Sequence, residues 1–413
     1  MSGIIDVRPL GAPSRLRLYS AVNLVSFACT YYRIEVPFRT ARDLGEADYL
    51  IEEMASAEAD EFMDTSDIHL MWMLIGDKIK AVLESRKNEK PVFDRTLKRW
   101  RNPTKFVFDS DDDAEYVDPF NPRFQSLGTI GTDDKTKLKP GDNISIKIDE
   151  NVHPVWRDGY EGPFGGTFDI QDNLNRIELF SKIPRLSAGV TVSTEPLARV
   201  YRERYGCENV YVFPNSIRFD DYPKINLKRS RKTVTILWQG GWSHYRDIEP
   251  LAEPLGRISR KYPHVRFIFW GYHFKWMANQ IPVTRCEFIG WTPYEAYKLR
   301  LATIDFDINL APLADRVFNH SKSAIKFYES ASLDLPRPTL AANIGPYKEI
   351  IDGETGMLYD TMDEFEEKLC TLIENATLRK TLGENAKDWI KEHRDAFITV
   401  PPLLEWYRSL AHG

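Results

Sequence analysis

Phe318-Asn319-His320-Ser321-Lys322-Ser323-Ala324-Ile325-Lys326-Phe327-Tyr328-Glu329 is the stretch that decides how the rest of the chain is read. A helix running from Ser321 places Lys322, Lys326 and Glu329 at successive spacings of four and three residues. At about 3.6 residues per turn they share one narrow wedge of the helix surface. Two cations and a carboxylate there, beside a helix N-terminus capped by Ser321 or Asn319, make a cradle for a diphosphate and a ribose. The ammonium groups and the N–H groups of the first turn, with Ser321 and Ser323, would hold phosphate, and Glu329 would accept from sugar hydroxyls. The same residues also fit a solvated helix face with one internal ion pair.

The neighbouring sequence weighs toward the cradle. Ser330-Ala331-Ser332-Leu333-Asp334-Leu335-Pro336 leads into the apolar run Pro338-Thr339-Leu340-Ala341-Ala342, followed by turns around Gly345-Pro346, Gly353 and Gly356. Helix, tight turn, buried strand and Gly-rich return is the rhythm of a βαβ unit. Order and spacing resemble the donor-binding half of GT-B glycosyltransferases, above all the large retaining family 4 (glycosyl transferases group 1), phage-type members included. That family reads E-A…G-x-P-V-V-A…G-G…E…G…G, and the likeness covers roughly the last 230 residues. The resemblance implies an α/β chain of two Rossmann-like domains with a cleft between them. It also implies transfer of a sugar from a nucleoside-diphosphate sugar, UDP-linked in the first instance, to an acceptor hydroxyl with retention.

At 413 residues the chain can bury two cores. A net charge of −6 argues against general nucleic-acid affinity without excluding a local basic groove. Cys29, Cys207, Cys286 and Cys370 show no metal-type spacing and read as free thiols of a reducing compartment. The N-terminus lacks the regions of a signal peptide, and no run of about 18 apolar residues occurs. A cytoplasmic protein is expected (host cytoplasm if viral), without a transmembrane segment.

β-rich runs alternate with helix-length segments in both halves, the pattern of parallel sheets in α/β layers. The first half offers strands at Val22 to Phe27, Ile68 to Trp72, Lys105 to Asp109 and, last of that half, Ala188 to Ser193. Helices are expected over Pro37 to Ala47 and Ile79 to Arg86. The second half offers strands at Thr233 to Trp238, Val265 to Trp270, Cys286 to Ile289 and Phe306 to Leu310. Val210 to Ile217 reads as the crossing between domains, similar to the V-I-P-N-G-I-D of GT-B enzymes, with Ser216 in place of the glycine. The expected division is 1–215 for the acceptor domain, 216–395 for the nucleotide-sugar domain, and 396–413 for a helix returning to the first. Lys228-Arg229-Ser230-Arg231-Lys232 reads as a solvated linker. Residues about 120–166, rich in Gly, Pro, Asp and Lys, read as an insertion, either a functional lid or acceptor-binding element, or a disordered or small ancillary hairpin.

Trp238-Gln239-Gly240-Gly241-Trp242-Ser243-His244-Tyr245-Arg246-Asp247 follows a strand and precedes a helix, where ligands settle on a parallel sheet. Gly240 and Gly241 would let backbone N–H groups approach phosphate, and His244 or Arg246 would add charge. The family usually shows G-R…K-G here; this chain has Gly241 at the arginine position, which leaves Lys322, Lys326 and Arg246 as the charge carriers. The family's second paired glutamate falls on Glu329, implying a ribose contact, and the first falls on Ser321, which has no carboxylate. Trp291, in a segment similar to the family's base-binding loop, is a further donor contact.

Asp109-Ser110-Asp111-Asp112-Asp113 permits three readings, namely turn capping, acceptor-hydroxyl binding and a metal site, with Asp112 and then Asp111 the residues that would meet substrate. No metal is expected, because the GT-B resemblance implies none for donor activation. Tyr32 and Arg33, in the loop expected to face the cleft, are acceptor-side candidates, or an aromatic pair packed under the first helix. No bound cofactor is expected, the nucleotide sugar being a co-substrate. The acceptor is left open among a saccharide, a small molecule and hydroxymethylated bases of phage DNA. A sugar-nucleotide 2-epimerase on the same fold is the other alternative.

Overall fold

The computed structural model describes residues 15–22, 28–53, 65–94, 99–148, 155–162, 166–225 and 233–412. The first sheet is built from β1 (Leu16–Val22), β2 (Ala47–Glu53), β3 (Ile68–Trp72), β4 (Lys105–Ser110), β5 (Gly189–Val192) and β6 (Val210–Val212). They lie in the order β6-β5-β4-β3-β1-β2, every pair parallel. The second comprises β7 (Val234–Gly240), β8 (Val265–Gly271), β9 (Cys286–Ile289), β10 (Ile308–Ala311), β11 (Thr339–Ala342) and β12 (Met357–Tyr359), in the order β9-β8-β7-β10-β11-β12, again all parallel. Helices on both faces bury the central strands, which is why β5, β10 and β11 are buried at every position. The two sheets confirm the expected α/β class.

Three local expectations need correction. The first strand is Leu16–Val22; residues 23–27, predicted to be strand, lie outside the described residues, as does the 228–232 basic tract. The first helix ends at Asp43, and Gly45, at a φ of +76° that suits glycine, turns the chain into β2. That strand escaped prediction because it is an edge rich in acidic residues rather than an apolar run. Val210–Val212, read as a crossing, is a sixth strand paired with β5, and the crossing follows it.

The 120–166 insertion is a folded unit in its described part. Short antiparallel pairs join Ile144–Ser145 to Val155–Trp156 and Tyr160–Glu161 to Thr167–Phe168. Trp156 is fully buried against Phe124 and Phe168, and its Nε1–H donates to the Pro119 carbonyl at 2.8 Å. The long Ala396–His412 helix returns to the first sheet's side. It packs on the Val36–Asp43 helix, stacks Trp406 on Tyr211 at 5.1 Å, and accepts at the Ala411 carbonyl a 2.6 Å bond from Asn102. Among the described residues no helix is long and apolar enough to cross a membrane.

Arg33 is the largest correction to the acceptor-side reading. Its guanidinium, wholly buried, forks onto Asp109 at 3.0 and 2.7 Å and also donates to the Phe213 carbonyl and, at 3.2 Å, to Asn215. Thr191 completes the shell with a 2.6 Å bond to Asp109. The residue is a structural knot joining the first helical segment, β4, β5 and the segment after β6; it does not face the cleft. Removing one member of a buried, fully bonded pair leaves the other charge desolvated and alone. Arg33→Met should therefore lower unfolding stability by about 3–5 kcal/mol, measured by urea denaturation.

Candidate functional site

The carboxyl ends of the two sheets face each other across a cavity of about 560 Å³. From the first sheet's side come Ala28, Cys29, Asp111 and Asp112. From the second come Gln239 and Gly240 at the end of β7, Gly241 and His244 after it, Trp291 to Tyr294 and Tyr297 after β9, Leu313 after β10, and Lys322, Ser323, Lys326, Glu329, Pro346 and Tyr347. A hollow of about 690 Å³ along β8 and β9 contains none of the predicted residues. Arg285 on its wall is committed to the carbonyls of Ser259 and Tyr262, so the cleft is the better candidate.

The deciding segment is not one helix. Val317–His320 forms a single turn that ends at Ser321, and the next helix spans Ile325–Ser332 with Ala324 at its N-cap and no capping side chain. Lys322 and Ser323 therefore sit in the connection, while Lys326 and Glu329 lie on the helix. The expected clustering survives for a different reason: the break points Lys322, Lys326 and the uncapped first turn into one cavity. Ser321 does not line it; it is buried, and its carbonyl accepts a 2.8 Å bond from Thr194. Ser323 is held by a 2.8 Å bond from Asn215, the residue that also meets Arg33.

Neither lysine ammonium has a carboxylate within ion-pair distance among the described residues; Lys322 lies 4.6 Å above the Phe318 ring. Burial, with repulsion from Lys322, lowers Lys326 to about 8 despite attraction from Asp247 and Glu329. Two neighbouring cations, neither of them in an ion pair among the described residues, make a site that gains from a bound anion. His244 contributes no charge at neutral pH. Burial and Lys326 bring it down to about 4, and its Nδ1 lies 2.7 Å from Asp247. Asp247 is anchored in turn by the Ala314 N–H at 2.8 Å and Asn319 at 3.1 Å. Gly240 is needed for packing, since a Cβ there would lie 2.8 Å from the Trp238 ring and 3.0 Å from His244, whereas a Cβ on Gly241 would meet only Ser243 Oγ, at an ordinary 3.8 Å.

Glu329 is buried and accepts from Tyr32 and Tyr297, both at 2.7 Å. Burial raises its pKa, opposed by those two hydroxyls and by Lys298 and Lys326. Tyr32 is likewise fully buried, meeting the second sheet's helix rather than an open acceptor face. Trp291 stands at the cavity mouth, 77% exposed. Trp270 stacks on Tyr297 at 4.8 Å and donates to Thr292. Trp270, Tyr294, Tyr297 and Tyr347 were missed by sequence reading. Only the three-residue spacing of the Tyr294–Tyr297 pair after Thr292-Pro293 offered a signal.

Arg246 leaves the site. It donates to Asp118 at 3.2 Å and lies 4.5 Å over Phe120, which stacks on Tyr245 at 5.7 Å. Arg316 adds 2.6 Å bonds to Asp134 and to the Thr132 carbonyl. These contacts strap the start of the insertion onto the second sheet's loops. In the aspartate tract, Asp111 accepts from Trp72 at 3.1 Å, Asp112 pairs with Arg123 at 3.3 Å and Asp113 with Arg204 at 2.8 Å. Burial raises Asp112, opposed by Lys322 and Arg123. Of the tract only Asp111 and Asp112 reach the cavity.

Comparison with solved structures decides the architecture. Sucrose-phosphate synthase from Thermosynechococcus elongatus superposes with a TM-score of 0.60 at 10% identity, over 96% of this chain and 99% of that one. Anabaena HepE in complex with UDP and glucose gives 0.57 at 12% identity, over 96% and 100%. A glycosyltransferase from Rickettsia africae gives 0.59 at 11% identity, over 96% and 99%. The chain has the GT-B fold. No family model matches the sequence. Among curated proteins, an uncharacterised glycosyltransferase of Methanocaldococcus jannaschii, MJ1178, is 42% identical over 59 residues, a match spanning 14% of this chain and only 17% of that protein.

An anion bound between the lysines should restore Lys326 toward its ordinary value of 10.5. The lysine is charged below about 8 and loses its proton above it. Affinity for inorganic pyrophosphate should accordingly fall as pH rises from 7 to 9.5, and binding at pH 8.5 should take up protons. Calorimetry in two buffers of different ionisation enthalpy should show this uptake in the wild type and its loss in Lys326→Met.

Proposed function

We propose that this protein is a glycosyltransferase of the retaining GT-B type, moving a sugar from a nucleoside-diphosphate sugar, UDP-linked in the first instance, to an acceptor hydroxyl. What carries the reading is the pair of ammonium groups, Lys322 and Lys326, without an ion pair among the described residues and facing a cavity at the carboxyl ends of two parallel sheets. The diphosphate lies between these lysines, the first-turn N–H groups of the Ile325–Ser332 helix and the open space at Gly241. Glu329 meets the ribose, and Trp270, Trp291 and Tyr297 wall the base. HepE, whose solved complexes contain UDP and UDP-glucose, supports the choice of donor.

Cleavage of the sugar–phosphate bond leaves negative charge on the departing diphosphate, and two lysines held at the cavity wall stabilise that charge more than water does. Lys322 and Lys326 are thus the principal catalytic groups. Asp112, with Asp111, lies on the opposite wall, suited to accepting a hydroxyl proton from the acceptor. Their carboxylates favour a neutral saccharide or small molecule over the phosphates of duplex DNA. The 2-epimerase reading would show itself as donor turnover with no acceptor present. The domain division stays at 1–215 and 216–395 with residues 396–413 crossing back, in a cytoplasmic enzyme that uses neither cofactor nor metal.

Lys326→Ala should weaken UDP binding by roughly 1.5–3 kcal/mol and abolish detectable transfer, read by calorimetry and by UDP release from a nucleotide-sugar panel. Unchanged UDP affinity would remove the cradle. Treatment with EDTA should leave UDP release intact; abolition with rescue by Mg²⁺ or Mn²⁺ would return the aspartate tract to the role of metal site.

A further inference from the structure

Tyr32 comes from the first half of the chain, yet its hydroxyl ends on Glu329 in the second, 297 residues away, at 2.7 Å inside the protein. On the other carboxylate oxygen, Tyr297 stands at 2.7 Å and Gln239 Nε2 at 3.5 Å. Tyr297 has a single proton, and Gln239 Oε1 competes for it at 2.8 Å. Among the described residues Tyr32 is the donor to this carboxylate that comes from the first half of the chain. A carboxylate offers about four lone-pair positions, so these donors leave about one on Oε1 for a ligand.

We infer that Tyr32 is a positioning residue for nucleotide recognition, fixing Glu329 so that its remaining lone pair meets a ribose hydroxyl only while the two halves are closed on each other. The inference rests on the donor site proposed above. Tyr32 is not placed to be displaced by a ligand. Its ring is fully buried, edge-on to Tyr31 at 5.1 Å and to Tyr294 at 6.2 Å. Tyr31 is pinned from the second half by Lys298, whose ammonium lies 3.1 Å from the ring centre and 3.4 Å from Asp221. Opening the cleft would withdraw the hydroxyl from Glu329, leaving a buried carboxylate short of a donor and free to rotate.

Calorimetry of UDP and 2′,3′-dideoxy-UDP on wild type, Tyr32→Phe and Lys326→Ala separates the claims. Wild type should prefer UDP by about tenfold, and Tyr32→Phe should weaken UDP about fivefold while changing the dideoxy analogue by less than about twofold. Lys326→Ala should weaken both nucleotides alike. p-Aminophenylalanine at position 32, which keeps a donor, should retain the preference for UDP and serves as the test if the phenylalanine variant does not fold. Equal weakening of both nucleotides by Tyr32→Phe, tighter UDP binding, or loss of the preference in the p-aminophenylalanine protein would overturn the inference while leaving the donor site standing. Unaltered binding in Lys326→Ala would overturn the donor reading itself.

Discussion

The buried Arg33–Asp109 pair is the constraint on which the rest of the site depends. Its guanidinium fixes the end of β4, the start of the aspartate tract and Asn215, and Asn215 in turn holds Ser323 beside the two lysines. A hydrogen-bonded line thus runs from the core of the first sheet to the cavity wall of the second. A buried ion pair is not in itself a source of stability, because desolvation offsets its attraction. What it supplies here is geometry. Five bonds around two groups leave the neighbouring strand ends little freedom.

The cavity on the far side of that line is organised by conflict. Lys322 and Lys326 repel each other, burial disfavours the charge on Lys326, and Asp247 is occupied by His244, Ala314 and Asn319. An evenly satisfied surface would show the reverse, with each cation paired to a neighbour, as Arg204 and Arg123 are. The contrast between arginines paired to the aspartate tract and lysines that face the cavity with no ion pair among the described residues is what separates an anion site from ordinary surface charge.

Two further sets of contacts join the halves around this cavity, beside the Asn215–Ser323 and Thr194–Ser321 bonds. One is the tyrosine and Glu329 cluster with Lys298 and Asp221; the other is the strap of Asp118, Phe120 and Asp134 on Arg246, Tyr245 and Arg316. The strap gives the 120–166 insertion a structural role and accounts for the absence of Arg246 from the cavity. Ion pairs of this partly exposed kind weaken with salt, whereas the buried tyrosine contacts do not.

The α/β class, most of the central sheet strands, and the convergence of Lys322, Lys326, Glu329, Gly240 and Gly241 on one cleft were legible in the sequence. Apolar runs, turn residues and spacing are local quantities, and parallel sheets bury their strands enough to make those runs plain. The acidic edge strand β2, the short strand β6 and the helix break at Ser321 were not legible, because each is set by what packs against it. The fates of Arg33, Arg246 and Ser321 were likewise decided by partners far away in the chain. A charged side chain carries the same letter whether it meets a ligand or a buried aspartate, and only the folded arrangement determines which desolvated partner it finds.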